Sequence, residues 1–231
     1  MRSLINWFKN LFGTKKKSTD TELEQRVEEP LDPANVEKIA IVVGHTGRSK
    51  GALNYRKESE YDFNKRIAKL IKEYLDNFSS KTTGIILRDG IGRSGAAKKC
   101  KEWGADLTLE LHFNSFRKIA YGCEVLCYAD SKHFNETVIM ADELTDDLAK
   151  EFKLGERHTL RTDDGELRDG VKITKSKDRG GYNLRSMNDL GIKYSMLIEP
   201  CFANYKTPES EAIFENERKY AETIAEYLVN L

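Results

Sequence analysis

The stretch Val42-Val43-Gly44-His45-Thr46-Gly47 places a histidine where a run of apolar residues stops. Two later segments repeat this layout, because residues 107–111 are followed by His112 and residues 196–198 are followed by Glu199. Short apolar runs of this kind are typical of buried strands. In open α/β sheets, ligand sites form outside the carboxyl ends of the strands. The three side chains therefore predict one site built from distant parts of the chain.

Apolar, strand-like runs alternate with helical patterns along the rest of the chain. We expect strands at residues 39–43, 84–87, 106–111, 122–128, 171–173 and 195–198, and helices at residues 58–78, 96–103, 132–152 and 209–229. Such alternation is typical of an α/β domain with a mostly parallel sheet. Residues 154–181 are dense in charge and glycine. A segment of this length is expected to be either the lip of a substrate groove or a surface excursion.

The composition excludes several classes of protein. The 231 residues are 39% hydrophobic and 33% charged, which is typical of a globular chain rather than a fibrous or membrane protein. Positive and negative residues balance at 38 each, so charge gives no reason to expect a nucleic-acid partner. The four cysteines (Cys100, Cys123, Cys127 and Cys201) form no CxxC pair, which favours reduced thiols made in a cytoplasm.

The chain divides into three parts. Residues 1–17 (MRSLINWFKNLFGTKKK) are expected to form either a short amphipathic helix with weak membrane-surface contact or a disordered tail, and they lack the continuous apolar region of a signal peptide. Residues 18–36 are rich in Glu, Asp and Thr and predict a linker. Residues 37–231 are expected to form the folded domain that carries the predicted site, and we expect a monomer.

The position of Glu60 on the apolar face of a predicted helix adds a fourth residue to the predicted site. A hydrolytic zinc site needs about three protein ligands, and His45 and His112 supply two. In the helix that follows the first strand, Glu60 lies on the apolar stripe that contains Phe63 and Ile67, whereas Glu58 lies on the opposite face. A buried carboxylate needs a partner, and a metal ion is one. The remaining histidines, at positions 133 and 158, are interpreted as surface residues.

Glu199 is predicted to transfer protons. It follows the last apolar strand, where burial raises the pKa of a carboxyl group. We expect it to take a proton from water activated by zinc and to pass it to a leaving amine, so that the reaction is hydrolysis of an amide. Taken singly, each residue has a structural interpretation, such as a hydrogen-bonded histidine or a glutamate that favours the helix dipole. Together, the two histidines and two glutamates favour a site.

These residues resemble the zinc-dependent N-acetylmuramoyl-L-alanine amidases of the Amidase_3 type. The resemblance rests on an ordered set of motifs, namely Gly44-His45-Thr46-Gly47 with Gly51-Ala52, Glu60-Tyr61-Asp62-Phe63-Asn64, Leu111-His112-Phe113-Asn114, Gly122-Cys123-Glu124-Val125, and Leu197-Ile198-Glu199-Pro200-Cys201-Phe202 with Asn204. It covers the chain from about Lys38 to the C-terminus. It implies a three-layer α/β domain whose central sheet, of about six strands, is mixed and mostly parallel and is flanked by helices.

The resemblance also implies roles for these residues. His45, Glu60 and His112 match the zinc ligands, and Glu199 matches the catalytic glutamate. Further matches, to residues around the ligands or to substrate-binding residues, are Asn114, Arg88 and Arg93. The implied reaction is cleavage of the amide between N-acetylmuramic acid and the L-alanine of the peptidoglycan stem peptide.

The sequence departs from the family pattern at two positions. Val42-Val43 stands where the family has an Asp before the Gly-His pair, so another group must orient His45. Glu110 stands where the family has a Ser before the second histidine. On a strand, Glu110 shares a face with His112, and we expect it to orient the imidazole from outside the metal ligands.

Three functions remain open from the sequence. The first is a peptidoglycan amidase of the phage endolysin type, made in the cytoplasm without a signal peptide and acting on the wall after release. The second is another zinc amidohydrolase or peptidase with the same site. The third is a non-catalytic module that binds the cell wall. The complete set of four site residues argues against the third.

Overall fold

A six-stranded sheet forms the centre of the computed structural model, which describes residues 35–161 and 167–231. The predicted tail (1–17) and most of the predicted linker (18–36) lie outside the described residues. The strands are β1 (Lys38–Val43), β2 (Thr82–Leu87), β3 (Leu107–Leu111), β4 (Glu124–Tyr128), β5 (Thr159–Arg161), β6 (Leu167–Asp169), β7 (Val171–Thr174) and β8 (Tyr194–Glu199). The helices are α1 (Glu60–Phe78), α2 (Gly92–Trp103), α3 (Phe134–Phe152), α4 (Gly181–Asp189), α5 (Pro208–Glu215) and α6 (Glu217–Asn230).

The sheet is mixed and mostly parallel, as predicted. Its strand order is β2-β1-β3-β8-β4-β7, and β5 pairs with β6 in a separate two-stranded sheet. Strands β2, β1, β3 and β8 are parallel, whereas β4 runs antiparallel to β8 and parallel to β7. The carboxyl ends of β1, β3 and β8 therefore lie side by side, while the amino end of β4 reaches the same edge.

Helices cover both faces of the sheet. Strand β1 shows the reason, since Ile39, Ile41 and Val43 belong to one buried cluster and Ala40 and Val42 to another. The first cluster includes apolar residues of α1, α3 and α6, and the second includes residues of α2 and α4. Strands with two apolar faces are typical of parallel sheets between helical layers.

Helix α1 begins two residues later than the sequence pattern suggests. The hydroxyl of Ser59 accepts a hydrogen bond from the backbone N–H of Asp62, so Ser59 is the N-cap and Glu60 is the first helical residue. Glu58 therefore lies before the helix, where it pairs with Arg66. The buried stripe of the helix includes Glu60, as its phase predicts.

Three other segments differ from the prediction. The expected helix at residues 209–229 is two helices, because Asn216 takes a non-helical backbone conformation (φ −122°, ψ 44°) between α5 and α6. The β5–β6 pair and helix α4 were not predicted, since their sequences are short and polar with weak periodicity. The strand expected at residues 171–173 is present as β7.

The packed part of the chain begins before residue 37. Val36, which was assigned to the linker, is buried in the larger core cluster, and its carbonyl accepts a hydrogen bond from the Lys81 ammonium at 2.8 Å. The four cysteines are buried and free of disulfides, as predicted. In the described residues, no helix is long and apolar enough to span a membrane.

Candidate metal centre and adjoining carboxylate pair

Three neighbouring parallel strands deliver the predicted residues to one edge of the sheet. His45 lies two residues after the end of β1, His112 directly follows β3, and Glu199 is the last residue of β8. Glu60 reaches the same edge from the first turn of α1. The topology thus explains why residues up to 154 positions apart in sequence meet.

His45, Glu60 and His112 form a cluster with the donor set of a metal site. One ligand atom from each lies within 4.8 Å of the others. The Nε2 atom of His45 lies 3.1 Å from Oε2 of Glu60, and the Nδ1 atom of His112 lies 2.7 Å from Oε1 of Glu60. Glu60 is buried, whereas the His45 side chain is 30% exposed. The cluster is therefore anchored in the core and open on the side of His45.

Two glycines allow the three side chains to approach this closely. A Cβ atom on Gly44 would lie 2.6 Å from the imidazole of His112. A Cβ atom on Gly51 would lie 2.6 Å from Oε2 of Glu60 and from the ring of His45, and Gly51 also has a φ of +79°. His45 itself has a φ of +66°, which is uncommon for a residue with a side chain. The glycines of the Gly-His-x-Gly…Gly-Ala pattern thus have a steric role.

Glu60 is held in its charged form. The backbone N–H groups of Phe113 and Ala52 donate hydrogen bonds to its two oxygens at 3.1 and 3.2 Å. Burial raises the pKa of the carboxyl group, but the hydrogen bonds from His112 and then His45 outweigh burial and leave the pKa well below its usual value. A charged carboxylate between two imidazoles offers a divalent cation one oxygen ligand and two nitrogen ligands.

Glu110 occupies the other side of the His112 ring. Its Oε1 atom lies 2.7 Å from Nε2 of His112 and accepts a hydrogen bond from the side-chain amide of Asn183 at 3.1 Å. The Arg88 guanidinium forms an ion pair with the same carboxylate, and both side chains are buried. Burial, followed by the positive charge of Arg93, lowers the pKa of Arg88 to about 10. Glu110 therefore links the imidazole of His112 to a buried polar network.

His45 is positioned by the cluster itself. The chain has Val42 and Val43 where the family pattern has an Asp, and both valines are buried in the core. Instead, the His45 ring packs edge-on against the His112 ring, with 5.0 Å between the ring centroids, and its Nε2 faces Glu60.

Glu199 is buried beside a second carboxylate that sequence reasoning did not assign to the site. Glu124 is its register partner across β4 and β8, and the two side chains share a hydrogen bond. Burial, followed by the hydrogen bond with Glu124, raises the pKa of Glu199. The positive charge of Arg179 acts in the opposite direction, and its Nη2 atom lies 3.6 Å from Oε1 of Glu199. The burial of Glu199 thus acts on its pKa in the predicted direction.

Glu124 remains charged because polar groups surround it. Burial raises its pKa, but hydrogen bonds from Glu199 and Asn114 and the charges of Lys172 and Arg157 outweigh burial and hold the pKa below its usual value. The Asn114 amide donates at 2.8 Å, and Nε2 of His158 lies at 2.6 Å. Asn114 thus lies against the carboxylate pair rather than the histidine cluster. His158 is exposed, as predicted, yet it reaches this buried carboxylate.

A pocket of about 410 Å³ opens over the cluster and Glu199. Its lining is polar and basic: His45, Thr46, Ser49, Arg88, Gly92, Arg93, His112, Arg179, Gly180, Asn183, Leu197 and Glu199. Arg179 and Gly180 belong to the segment at residues 154–181, which was expected to be either the lip of a substrate groove or a surface excursion. This part of the segment lines the pocket, in agreement with the first of these roles. Asn183 comes from the unpredicted helix α4, and no periodicity signal pointed to it.

An α/β sheet with a His-Glu-His cluster and a buried glutamate at its carboxyl edge defines a class of domain suited to metal-assisted hydrolysis. The family model for N-acetylmuramoyl-L-alanine amidases of the Amidase_3 type matches residues 39–230. The chain belongs to this family, and its function is that of a peptidoglycan amidase.

Solved structures of this family share the fold. An N-acetylmuramoyl-L-alanine amidase from Clostridium difficile 630 is 19% identical, with a TM-score of 0.62 over 84% of this chain and 95% of that one. The catalytic domain of the CD27L endolysin, which targets Clostridia difficile, is 23% identical, with a TM-score of 0.63 over 84% and 97%. The amidase Ami1 from Mycobacterium abscessus is 15% identical, with a TM-score of 0.64 over 84% and 98%. A comparison with curated proteins gives no match.

Proposed function

We propose that this chain is a zinc-dependent amidase that hydrolyses the bond between N-acetylmuramic acid and the L-alanine of the stem peptide. The observation that carries the proposal is the cluster of His45, Glu60 and His112 beside the buried carboxyl of Glu199. Two imidazole nitrogens and one carboxylate oxygen fit zinc, which takes three protein ligands and keeps one open position in catalytic sites. The half-open side of the cluster at His45 supports such a position.

The negative charge of Glu60 suits a zinc ion, as do the nitrogen and oxygen atoms that the three residues offer. The Glu60 carboxylate is deprotonated in its surroundings, and backbone N–H groups fix both of its oxygens. A zinc ion bound by these three residues supplies Lewis acidity, which lowers the pKa of water and polarises a carbonyl group. When the neutral His112 imidazole carries its proton on Nε2, it donates to Glu110, and Nδ1, which faces Glu60, is then the nitrogen that binds the metal.

Glu199 is the general base and then the general acid of the reaction. Its raised pKa lies closer to neutrality than that of an ordinary glutamate, which suits a group that both accepts and returns a proton. As a base, it takes the proton from the attacking water. As an acid, it delivers that proton to the nitrogen of the L-alanine, whose bond to the lactyl carbonyl breaks. Glu124 accepts the hydrogen bond of the protonated Glu199 carboxyl and keeps that carboxyl in place.

The proposed roles of the neighbouring residues follow from their contacts. Arg88 neutralises the buried Glu110 carboxylate, and Asn183 completes the hydrogen bonds of that carboxylate. Asn114 holds Glu124 through its side-chain amide. Arg93 lies at the mouth of the pocket, where its guanidinium packs over the ring of Tyr182 at 4.8 Å and faces arriving substrate.

The test uses purified cell walls and three forms of the protein. The expected result is turbidity loss with the zinc-loaded wild type, none after chelation, and none with Glu199→Gln even though that variant still binds one zinc ion. Glu102→Gln, an exposed glutamate of α2, is the matched control and is expected to keep full activity. Activity that survives either Glu199→Gln or chelation would contradict the proposal. Wall binding by wild type without any lysis would favour the non-catalytic module, and cleavage of other amides but not this one would favour a different zinc amidohydrolase.

We further propose that the enzyme acts as a phage-type endolysin, made in the cytoplasm and reaching the wall after the membrane is breached. This proposal is supported by a fold shared with an endolysin catalytic domain. Cells that express the protein are expected to lyse only after membrane permeabilisation. Lysis or wall-bound protein in cells with intact membranes would contradict this setting.

Residues 1–17 are proposed to make a weak contact with membrane surfaces. Basic residues and the apolar positions at helical spacing support this role. The full chain is expected to co-sediment with anionic vesicles, and the chain without residues 1–17 is expected to remain in solution. Equal sedimentation of the two chains would contradict the contact.

The protein is proposed to be a monomer. Light scattering on the protein as it elutes from a size-exclusion column is expected to give the mass of one chain.

A further inference from the structure

We propose that the basic wall of the pocket, formed by Arg93 and Arg179, binds a free carboxylate on the second residue of the stem peptide. This inference rests on the proposed function and adds a substrate class to it. The preferred substrates are stem peptides whose second residue, a glutamate linked through its side chain, keeps its α-carboxylate. Peptides in which this group is an uncharged amide are expected to be poorer substrates.

The charges around the pocket favour an anion. Three arginines and one glutamate line it, and the deepest arginine, Arg88, is already paired with Glu110. The charge of Arg93 acts on Arg88, so the two guanidinium groups lie close enough to repel each other. An anion that enters beside Arg93 relieves this repulsion, because opposite charges attract more strongly in a partly desolvated pocket than in water.

Arg93 and Arg179 are placed to receive such a group. Arg93 packs over the ring of Tyr182, with 4.8 Å between its Cζ and the ring centroid, and the Tyr182 hydroxyl is 3.0 Å from the hydroxyl of Ser94. The only carboxylate that the described part of the chain places against Arg179 is Glu199, at 3.6 Å, and the Arg179 side chain is 59% exposed. Both guanidinium groups therefore keep donors for a ligand.

The geometry of the stem peptide brings a carboxylate to this wall. The amide that breaks joins the lactyl carbonyl to the nitrogen of L-alanine. One residue further along, about 3.8 Å from the alanine Cα, lies the Cα that carries the α-carboxylate of the second residue. With the amide nitrogen beside Glu199, a carboxylate only one residue further along stays near Glu199, and Arg179 lies 3.6 Å from that glutamate. Arginine is suited to it, since its planar fork binds a carboxylate through two hydrogen bonds.

The experiment compares two synthetic N-acetylmuramoyl tetrapeptides that differ only at the second residue, one with the free α-carboxylate and one with the amide. For the zinc-loaded wild type, kcat/KM is expected to be about tenfold or more higher for the acid, because a hydrogen-bonded charge pair is lost in the amide. Arg93→Gln and Arg179→Gln are expected to lower kcat/KM for the acid more than for the amide, so that the ratio of the two kcat/KM values falls toward one. Arg185→Gln, a surface arginine paired with Asp189 outside the pocket, is the control and is expected to retain the wild-type ratio.

A binding measurement separates the inference from the proposed function. Calorimetry with the Glu199→Gln variant is expected to show tighter binding of the acid than of the amide, with a difference that shrinks as salt rises. Equal kcat/KM and equal affinity for the two peptides would overturn carboxylate recognition and leave the amidase function intact. Failure of the wild type to cleave either peptide, with tighter binding of the acid, would overturn the proposed function and support the inference.

Discussion

Glu124 and Glu199 face each other in the register between β4 and β8, and both are buried. Two adjacent carboxylates cannot both be charged at low cost, so one keeps a proton more tightly than the other. Asn114 and the cationic residues on one side favour the charge on Glu124. Glu199 therefore holds the shared proton, and its carboxyl donates the hydrogen bond to Glu124. In this pair, Glu124 keeps a negative charge and Glu199 is the group that can exchange a proton.

Replacement of Glu124 by glutamine is expected to shift the pH dependence of hydrolysis. A general base must be deprotonated, so activity falls as pH drops through the pKa of Glu199. The negative charge of Glu124 raises that pKa, and the uncharged amide removes this effect. The acid limb of kcat/KM is therefore expected to move to lower pH in Glu124→Gln, with a lower maximal rate because the glutamine side chain no longer holds the carboxyl of Glu199 in the same way.

The control for this prediction is Glu102→Gln, whose pH profile is expected to match that of the wild type. Zinc content should be the same in all three proteins, since Glu124 lies on the side of Glu199 away from the proposed ligands. An acid limb that stays in place in Glu124→Gln, at unchanged zinc content, would contradict the assigned coupling between the two carboxylates.

Substitution of Gly51 by alanine is expected to abolish zinc binding. The new methyl group would lie 2.6 Å from Oε2 of Glu60 and from the His45 ring, so at least one of the two ligands must move. Gly90→Ala is a matched control, because Gly90 has a similar φ of +73° but open space around the added carbon. Both variants are expected to lose about 1 kcal/mol or more of stability through backbone strain. Zinc titration separates them, and equal zinc affinities would show that the close approach at Gly51 is unimportant.

Glu110→Gln is expected to weaken zinc binding by about 10- to 100-fold, since carboxylates that orient a ligating histidine typically contribute this much to affinity. The amide keeps the size of the side chain but loses the charge that favours the Nε2–H form of His112. Competition with a chromogenic chelator measures the affinity. An affinity equal to that of the wild type would mean that Glu110 has only a structural part in the network with Arg88.

Arg88→Leu is expected to destabilise the fold by about 3 to 5 kcal/mol, because it leaves the buried carboxylate of Glu110 without its cation. The double variant with Glu110→Leu should recover much of this loss, since no buried charge then remains unpaired. Denaturant unfolding of the zinc-free proteins gives the free energies. Additive losses of unfolding free energy in the double variant would contradict a direct coupling of Arg88 and Glu110. The control is Arg185→Leu at the surface, which should change the free energy of unfolding by less than about 0.5 kcal/mol.

Much of the fold follows from the sequence because its signals are local. The apolar runs before His45, His112 and Glu199 marked three central strands, and the phase of the following helix placed Glu60 rather than Glu58 in the buried stripe. Polar residues at the ends of parallel strands meet at one edge, so the cluster of His45, Glu60 and His112 was also expected. These predictions depend on periodicity and topology alone.

The missing parts of the site depend on contacts that no local pattern reports. Glu124 begins β4, and its approach to Glu199 comes from an antiparallel register between strands far apart in sequence. Arg179 and Asn183 belong to a polar segment whose short elements lack a clear period, so neither could be assigned to the pocket beforehand. His158 was interpreted as a surface residue, and it is exposed, but its contact with a buried carboxylate is set by the tertiary fold.

Chemical identification of the ends formed in purified peptidoglycan tests the proposed amidase activity at the bond itself. Amino groups and reducing ends are labelled and quantified after incubation with the zinc-loaded protein, with the chelated protein, and with the chelated protein after zinc is returned. We expect new alanine amino termini in the first and third samples, none in the second, and no new reducing ends in any of them. Release of other ends, or the same yield of alanine amino termini after zinc is removed, would contradict a zinc-dependent amidase.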